Sequence, residues 1–430
     1  SAIRLRWLGW ALAFAGIINC QAAERWDALT LPDFQIIKRD GRPLEGPVRA
    51  VTQDPQGFIW ITADGALWRW DGYELKKAGF QDIAADSPEL PEILIAKADP
   101  VGVVWVGTSA GLFRLDRGRL VLERVDDDQL NGLSPEFLTF DYVQGSQRIY
   151  MASEHSLYVR QDGKSRKVHA GPDGNRIHAL LMANNGRLWI GSNDGLHFID
   201  RDGTPQVYAA LQQMRISALY QSASGSVWVG TAKNGIFRID AEAKHHPLPL
   251  PESGNQAPWI YDISEARPGE YWFATFGNGI LVYNELSGVF KPIRKERMLE
   301  SNLLDNDVWV LFRDRAGLLW IGTRTGLNVT NTALSGLHHI PAGLPGSRLS
   351  DGMIYAMEAL PDGRIAVGTG NYGLDFLHPS LGIERYLPPG TAFGAERIPD
   401  NAVEALLATP DNQLLLGSTW QTLRYDLGTE

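Results

Sequence analysis

Cysteine is almost missing from this chain: Cys20 is the only one in 430 residues. A disulfide-stapled fold and a Cys-ligated metal site are therefore excluded. Long apolar runs are scarce too. The run from Trp7 to Ile18 is the most apolar, and it is shorter than the roughly 20 residues a helix needs to cross a bilayer. Basic residues are outnumbered, with 40 Lys and Arg against 50 Asp and Glu and a net charge of -10. Such a surface repels phosphate backbones, so no nucleic acid is expected as a partner. No Walker loop and no HExxH helix occurs. The nine histidines are scattered, with adjacent pairs at His245–His246 and His338–His339 that cannot share a helix face. Neither a metal nor a cofactor is expected.

Glycine and tryptophan, by contrast, are plentiful, at 45 and 14 residues. Gly-rich turns between aromatic-rich runs point to an all-β protein. The tryptophans are periodic. GVVWVGTSAGLFRLD, from Gly102, returns as RLWIGSNDGLHFID, from Arg187, and as VWVGTAKNGIFRID, from Val227. Aligned apolar strand starts fall at Val48, Ile93, Phe137, Ile177, Ile216, Ile260, Val308, Ile354 and Val403, with spacings of 45, 44, 40, 39, 44, 48, 46 and 49. Units of this length match a four-stranded propeller blade; helical TPR and ankyrin repeats are shorter.

The first unit shows the local logic. VRAVTQD from Val48 reads as a strand, and the turn Asp54–Gly57 leads into a second strand, FIWITA. ALWRWD follows as the third strand and YELKKAGF as the fourth. Trp60, Trp105, Trp189, Trp228, Trp272 and Trp320 share one position of the second strand, where a flat ring can wedge between neighbouring blades. The Gly-Thr after it is read as a tight backbone turn.

At the N-terminus, Arg4 and Arg6 precede the apolar run, and NCQAAE follows it. This is the pattern of a secretory signal peptide, expected over residues 1–23.

The phrase G-x-[IVL]-W-[IV]-G-T-x-x-G-[LI]-x-x-x-[DN] resembles the two-component regulator propeller repeat. The nearest copies start at Gly102, Gly186, Gly225 and Gly317, and the likeness covers about residues 34–430. The resemblance implies a seven-bladed β-propeller of four-stranded antiparallel blades over residues 34–341. Phe34–Lys38 would close its ring. The first two blades of a second propeller follow over residues 342–430. It also implies a periplasmic input region of a bacterial signalling receptor, anchored in the inner membrane. A histidine kinase or diguanylate cyclase output domain would lie downstream of Glu430, and the full-length protein would be a homodimer. This region itself is expected to be non-catalytic. The alternatives are a secreted propeller enzyme acting on polysaccharide, as a lyase or glycosidase, and a protein-interaction scaffold.

In a propeller, the loops entering the inner strands share a face with the loops between strands two and three, and that face is the default ligand site. The residues placed there are Glu92, Glu136, Arg176, Arg215, Trp259 and Asp307 before the inner strands. Arg49, His178, Tyr261 and Trp309 lie one residue inside them, and Asp194, Asn234, Phe276, Asn278 and Arg324 lie in the opposing loops. Aromatic faces stack on sugar rings, and Arg, Asn and Asp bond hydroxyls or carboxylates, so a small soluble ligand is expected, with an oligosaccharide as one candidate. Glu92 and Glu136, on neighbouring blades, are the one carboxylate pair that glycoside chemistry could use. Asp126–Asp128 reads as a solvated loop.

Overall fold

The computed structural model describes residues 32–81, 83, 90–130, 132–143, 146–170, 175–200, 203–250, 257–295, 303–332, 342, 349–378, 382–393, 396–398 and 402–428. The expected signal peptide and Cys20 lie outside these. The described chain is all β, apart from one 3-10 turn at Asp128–Leu130, and no helix in it is long and apolar enough to cross a membrane. Contacts divide the chain into two compact units, one of residues 34–296 with 301–333 and one that includes 334–430.

The first unit holds seven blade-like antiparallel sheets. Their inner strands are Val48–Gln53, Ile93–Ala98, Phe137–Val143, Ile177–Met182, Ile216–Gln221, Ile260–Arg267 and Val308–Arg313, here blades one to seven. Each inner strand contacts the next, and that of blade seven contacts that of blade one, so the ring closes. Its closure uses the chain start. Gln35–Ile36 pairs antiparallel with Leu327–Asn331 and supplies the fourth strand of blade seven. Arg315 reinforces the seam by donating to the Gln53 side chain at 3.1 Å and to the carbonyls of Pro55 and Asp54 in blade one. In blade one the fourth strand is only Leu75–Lys77. Gly79–Phe80, expected to continue it, instead pairs in parallel with Val121–Arg124 as a fifth strand of blade two.

The repeated phrase resolves into three interactions. The first locks the turn before strand two. Asp54 Oδ1 accepts from the amides of Gln56, Gly57 and Phe58, while its Oδ2 accepts from Trp60 Nε1 at 2.9 Å. Asp99 does the same for Trp105, and Asp314 for Trp320, each at 2.9 Å. The second concerns the glycine after the tryptophan. It does not turn the chain, as the sequence suggested; it makes room. A Cβ on Gly230 would lie 2.6 Å from Ile260 of the next blade, and one on Gly322 would lie 2.8 Å from Val48 across the seam. The third is the following hydroxyl, which caps the hairpin. Thr108, Thr231 and Thr323 donate to the carbonyls of Gly111, Gly235 and Gly326 at 2.8–2.9 Å.

The tryptophan rings pack onto the following blade. Trp60 lies with Ile93 and Val104, Trp228 with Ile260 and Phe273, and Trp320 with Val48 and Ile61. Blades four and five carry the same turn with Ala183 and Ser222 in place of aspartate, and there Trp189 Nε1 and Trp228 Nε1 are buried without a partner.

In the second unit, the four-stranded sheet from Ile354–Ala359 to Gly382–Leu387 packs on the three-stranded sheet Ala405–Ala408, Gln413–Gly417 and Thr422–Asp426. Buried Asp375 accepts from the amide and hydroxyl of Ser350, both at 2.8 Å. The inner strand here is bare on one side, with Tyr355 52% and Met357 61% exposed.

If the aspartate lock sets the turn, Asp314→Ala should cost about 3 kcal/mol, because it orphans an indole and a backbone donor in the interior. Ala183→Asp should raise the melting temperature by supplying Trp189 with the acceptor it lacks. Thermal unfolding of both variants checks this, and an unchanged midpoint for Asp314→Ala would contradict it.

Candidate functional site

One hydrogen bond builds the rim. In most blades, an amide from the strand-two to strand-three loop donates to the carbonyl just before the inner strand. It runs from Ser109 to Glu92, from Asn193 to Arg176, from Ala232 to Arg215, from Phe276 to Trp259 and from Arg324 to Asp307, at 2.9–3.1 Å. The backbone is thus fixed at each station, and the side chains are left to differ.

On blades five to seven and one, those side chains form a continuous aromatic and cationic run. Trp259 and Tyr261 stack at 5.2 Å and 17°, because residues two apart on a strand project to the same side. Phe276, 51% exposed, lies 6.4 Å from Trp259 and 6.1 Å from Tyr261. Trp309 follows at 6.4 Å from Tyr261. Arg215 covers the Trp259 ring at 4.4 Å, and Arg49 lies over Trp309 at 6.0 Å, both within cation–π range. Three donors in this run are buried without a protein partner: Trp259 Nε1, Trp309 Nε1 and Arg215 Nε.

The remaining rim charges are mostly spent on one another. Arg176 bonds both oxygens of Glu136 at 2.6 and 2.7 Å, which holds its guanidinium above the usual range. Arg49 pairs with Glu92 at 3.2 Å, and Arg324 with Asp307 at 3.2 Å and Asp305 at 3.4 Å. Arg215 differs. Burial pulls its guanidinium below the usual range, and nearby Arg176 adds to this, while Tyr261 works against it. His178, bonded to Asn193 at 2.8 Å, is likewise pulled down, chiefly by burial and further by Arg215 and Arg176. Burial raises the Tyr261 phenol, with Asp307 adding to it.

Of the residues expected on this face, ring contacts bring together Arg49, Arg215, Trp259, Tyr261 and Trp309, and the electrostatics place Arg176 and His178 beside Arg215. Others serve their own turns. Asp194 bonds Ser192 at 2.6 Å and His197 at 2.7 Å; Asn278 bonds the Phe276 carbonyl at 3.4 Å; Asn234 gives its amide to Thr231. Glu92 and Glu136 are each tied to a different arginine. The acidic stretch at 126–128 is not simply solvated, since Asp127 is buried against Arg160. GTSAG at 107–111 spells the letters of a hydrolase nucleophile elbow, but it is a strand-to-strand hairpin in which Ser109 Oγ accepts from the Glu92 amide at 3.0 Å. Among the described residues, no group of three His, Cys, Asp or Glu side chains could hold a metal.

A family model for the two component regulator propeller matches residues 171–194 and 302–325, the entry to blade four and the start of blade seven. These two segments match two-component regulator propeller repeats. Among solved structures it resembles the extracellular domain of BT3049 from B. thetaiotaomicron, described as a hybrid two component system. The TM-score is 0.69 at 19% identity, over 93% of this chain and 54% of that one. The extracellular domain of BT4673 from the same organism gives a TM-score of 0.57 at 19% identity, over 92% and 52%. Virginiamycin B lyase from Staphylococcus aureus gives 0.52 at 13% identity, over 69% and 98%. This chain spans about half the length of the two ectodomains it matches. No curated protein sequence matches it.

Below the rim, the ring holds two opposite charges the sequence did not flag. Lys97 of blade two donates to the Leu138 carbonyl of blade three at 3.1 Å. Asp262 of blade six accepts from the Leu311 amide of blade seven at 2.9 Å and from Ile263 at 2.8 Å. The two attract one another, but burial dominates both, pulling the Lys97 ammonium down and pushing Asp262 up to about 6. Since the folded pKa lies above the unfolded value of 3.8, the folded ring holds this proton more tightly. The stability it confers is full below about pH 3.8 and is lost as pH rises to about 6. Asp262→Asn, which cannot ionise, should flatten the change between pH 4 and 6, while its Nδ2 can no longer accept from one of the two amides that Asp262 serves. Urea titrations across that range check this; an unchanged pH dependence in Asp262→Asn would contradict it.

Proposed function

We propose that this propeller is the ligand-sensing input region of an exported bacterial signalling receptor, and that this region performs no chemistry. The observation that carries the reading is the open run of Trp259, Tyr261, Phe276 and Trp309 on the loop face, with indole donors that no protein group satisfies. Aromatic faces with unused donors suit a small soluble ligand that has a flat apolar side and acceptor atoms, an oligosaccharide among them. The regulator-propeller match and the likeness to ectodomains of BT3049 and BT4673 support a sensory role outside the cytoplasm. The same likeness supports a membrane-anchored whole.

A non-catalytic role is supported by the rim carboxylates. Glu92, Glu136 and Asp307 each pair with an arginine, so each is already engaged by a neighbouring cation on the rim. Binding energy that differs between two arrangements of the receptor would bias its output.

A library of soluble glycans and metabolites screened by thermal shift tests this. A ligand should raise the melting temperature and be recovered unchanged by chromatography. Trp259→Ala and Trp309→Ala should each weaken it at least tenfold, about 1.4 kcal/mol. Steady product formation would overturn the non-catalytic reading, and undiminished affinity in both variants would move the site elsewhere.

A further inference from the structure

We infer that Arg215 makes this site selective for an anion, a single carboxylate carried on a flat apolar body. The inference rests on the loop-face reading above and names the class of ligand.

Four arginines stand on the rim, and three have carboxylate partners: Arg49 with Glu92, Arg176 with Glu136, and Arg324 with Asp305 and Asp307. Arg215 is the exception. Among the described residues no carboxylate pairs with it, its Nε is buried without a partner, and its plane lies on Trp259 at 4.4 Å. An uncompensated guanidinium in a partly dry site is costly unless something anionic arrives. The neighbouring cation, Arg176, has both carboxylate oxygens of Glu136 already, so it leaves the local balance positive without competing as a partner.

The charge on offer is one, held in a planar fork that matches the two oxygens of a carboxylate. The surroundings are aromatic: Trp259 beneath the guanidinium, with Tyr261 and Phe276 beyond it. A doubly charged phosphate would meet too little positive charge there and lose too much hydration. A carboxylate fixed at the edge of a flat ring meets both features, its charge at Arg215 and its ring along the aromatic run. Two kinds of molecule carry that group, a uronic acid within a glycan and an aromatic acid.

Calorimetric titration of the purified chain distinguishes them. The probes are the methyl glycoside of galacturonic acid and its methyl ester, and 4-hydroxybenzoate and its methyl ester. At least one acid should bind tenfold or more tightly than its own ester, and the preference should shrink as NaCl rises from about 0.05 to 0.5 M. Arg215→Gln should bring the acid-to-ester ratio close to one without lowering the thermal midpoint, since it removes an unpaired charge, and Arg215→Lys should restore part of the preference. The inference is overturned if the esters bind as tightly as the acids, if Arg215→Gln keeps the preference, or if neither acid binds. Ester binding that Trp259→Ala abolishes would sink the anion claim and leave the loop-face site standing. Binding indifferent to both Trp259→Ala and Arg215→Gln would remove both.

Discussion

A blade's inner strand pairs on one side only, and the rest of the ring is arranged around that fact. Its free edge carries amides and carbonyls that must find partners or meet water. Here the neighbours supply many of them from side chains. Thr52 of blade one accepts from the Ala98 amide, Lys97 reaches Leu138, Ser217 reaches the Ile260 carbonyl, and Asp262 takes the Leu311 amide. Each of these bonds crosses from one blade to the next. Satisfying the edges and holding the blades in order are therefore one process, and a blade taken alone would lose both. The glycine two residues after Trp105, Trp189, Trp228 and Trp320 belongs to the same scheme. It lets the next inner strand approach closely enough for those short bonds to form.

Much of this was legible because repetition converts weak local signals into a strong one. The all-β class, the four-strand unit and the tryptophan wedge follow from periods and residue types, while the closing segment was expected from the family resemblance and is realised by Gln35–Ile36. The glycine was misread because a turn and a close approach call for the same residue; only the position of Ile260 or Val48 tells them apart. Gly79–Phe80 was misassigned because its partner, Val121–Arg124, lies in another blade. Lys97 and Asp262 were visible as charges inside apolar strands, ILIAKA and IYDISEA, yet nothing along the chain says that each caps a neighbour's edge.

The rim was legible in position, and which of its side chains meet was not. Counting from the inner strands placed the right stations on the rim, since one repeated amide-to-carbonyl bond fixes the backbone there. Which side chains cooperate depends on neighbours far apart in sequence. Asp194 looked like a ligand contact and is spent on Ser192 and His197. Asp305 was passed over and shares Arg324 with Asp307. Arg215 and Arg49 looked alike in the sequence. Only the presence of Glu92 beside one, and of no acid beside the other, separates a structural cation from an available one.

The aromatic run also lies where the ring is joined. Arg49 belongs to blade one and Trp309 to blade seven, and between these blades closure rests on a two-residue strand, on Arg315 and on the packing of Trp320 against Val48. The break in the chain lies inside blade seven, between Leu327–Asn331 and Gln35–Ile36, whereas the other blades are built from consecutive strands. A molecule that touches Trp309 and Arg49 together would span this noncovalent closure, so its binding energy would add to it. Recognition at this point would then be felt as stiffness of the whole ring. Between blades built from consecutive strands, such as blades three and four, the same contacts would tighten only what the chain already holds.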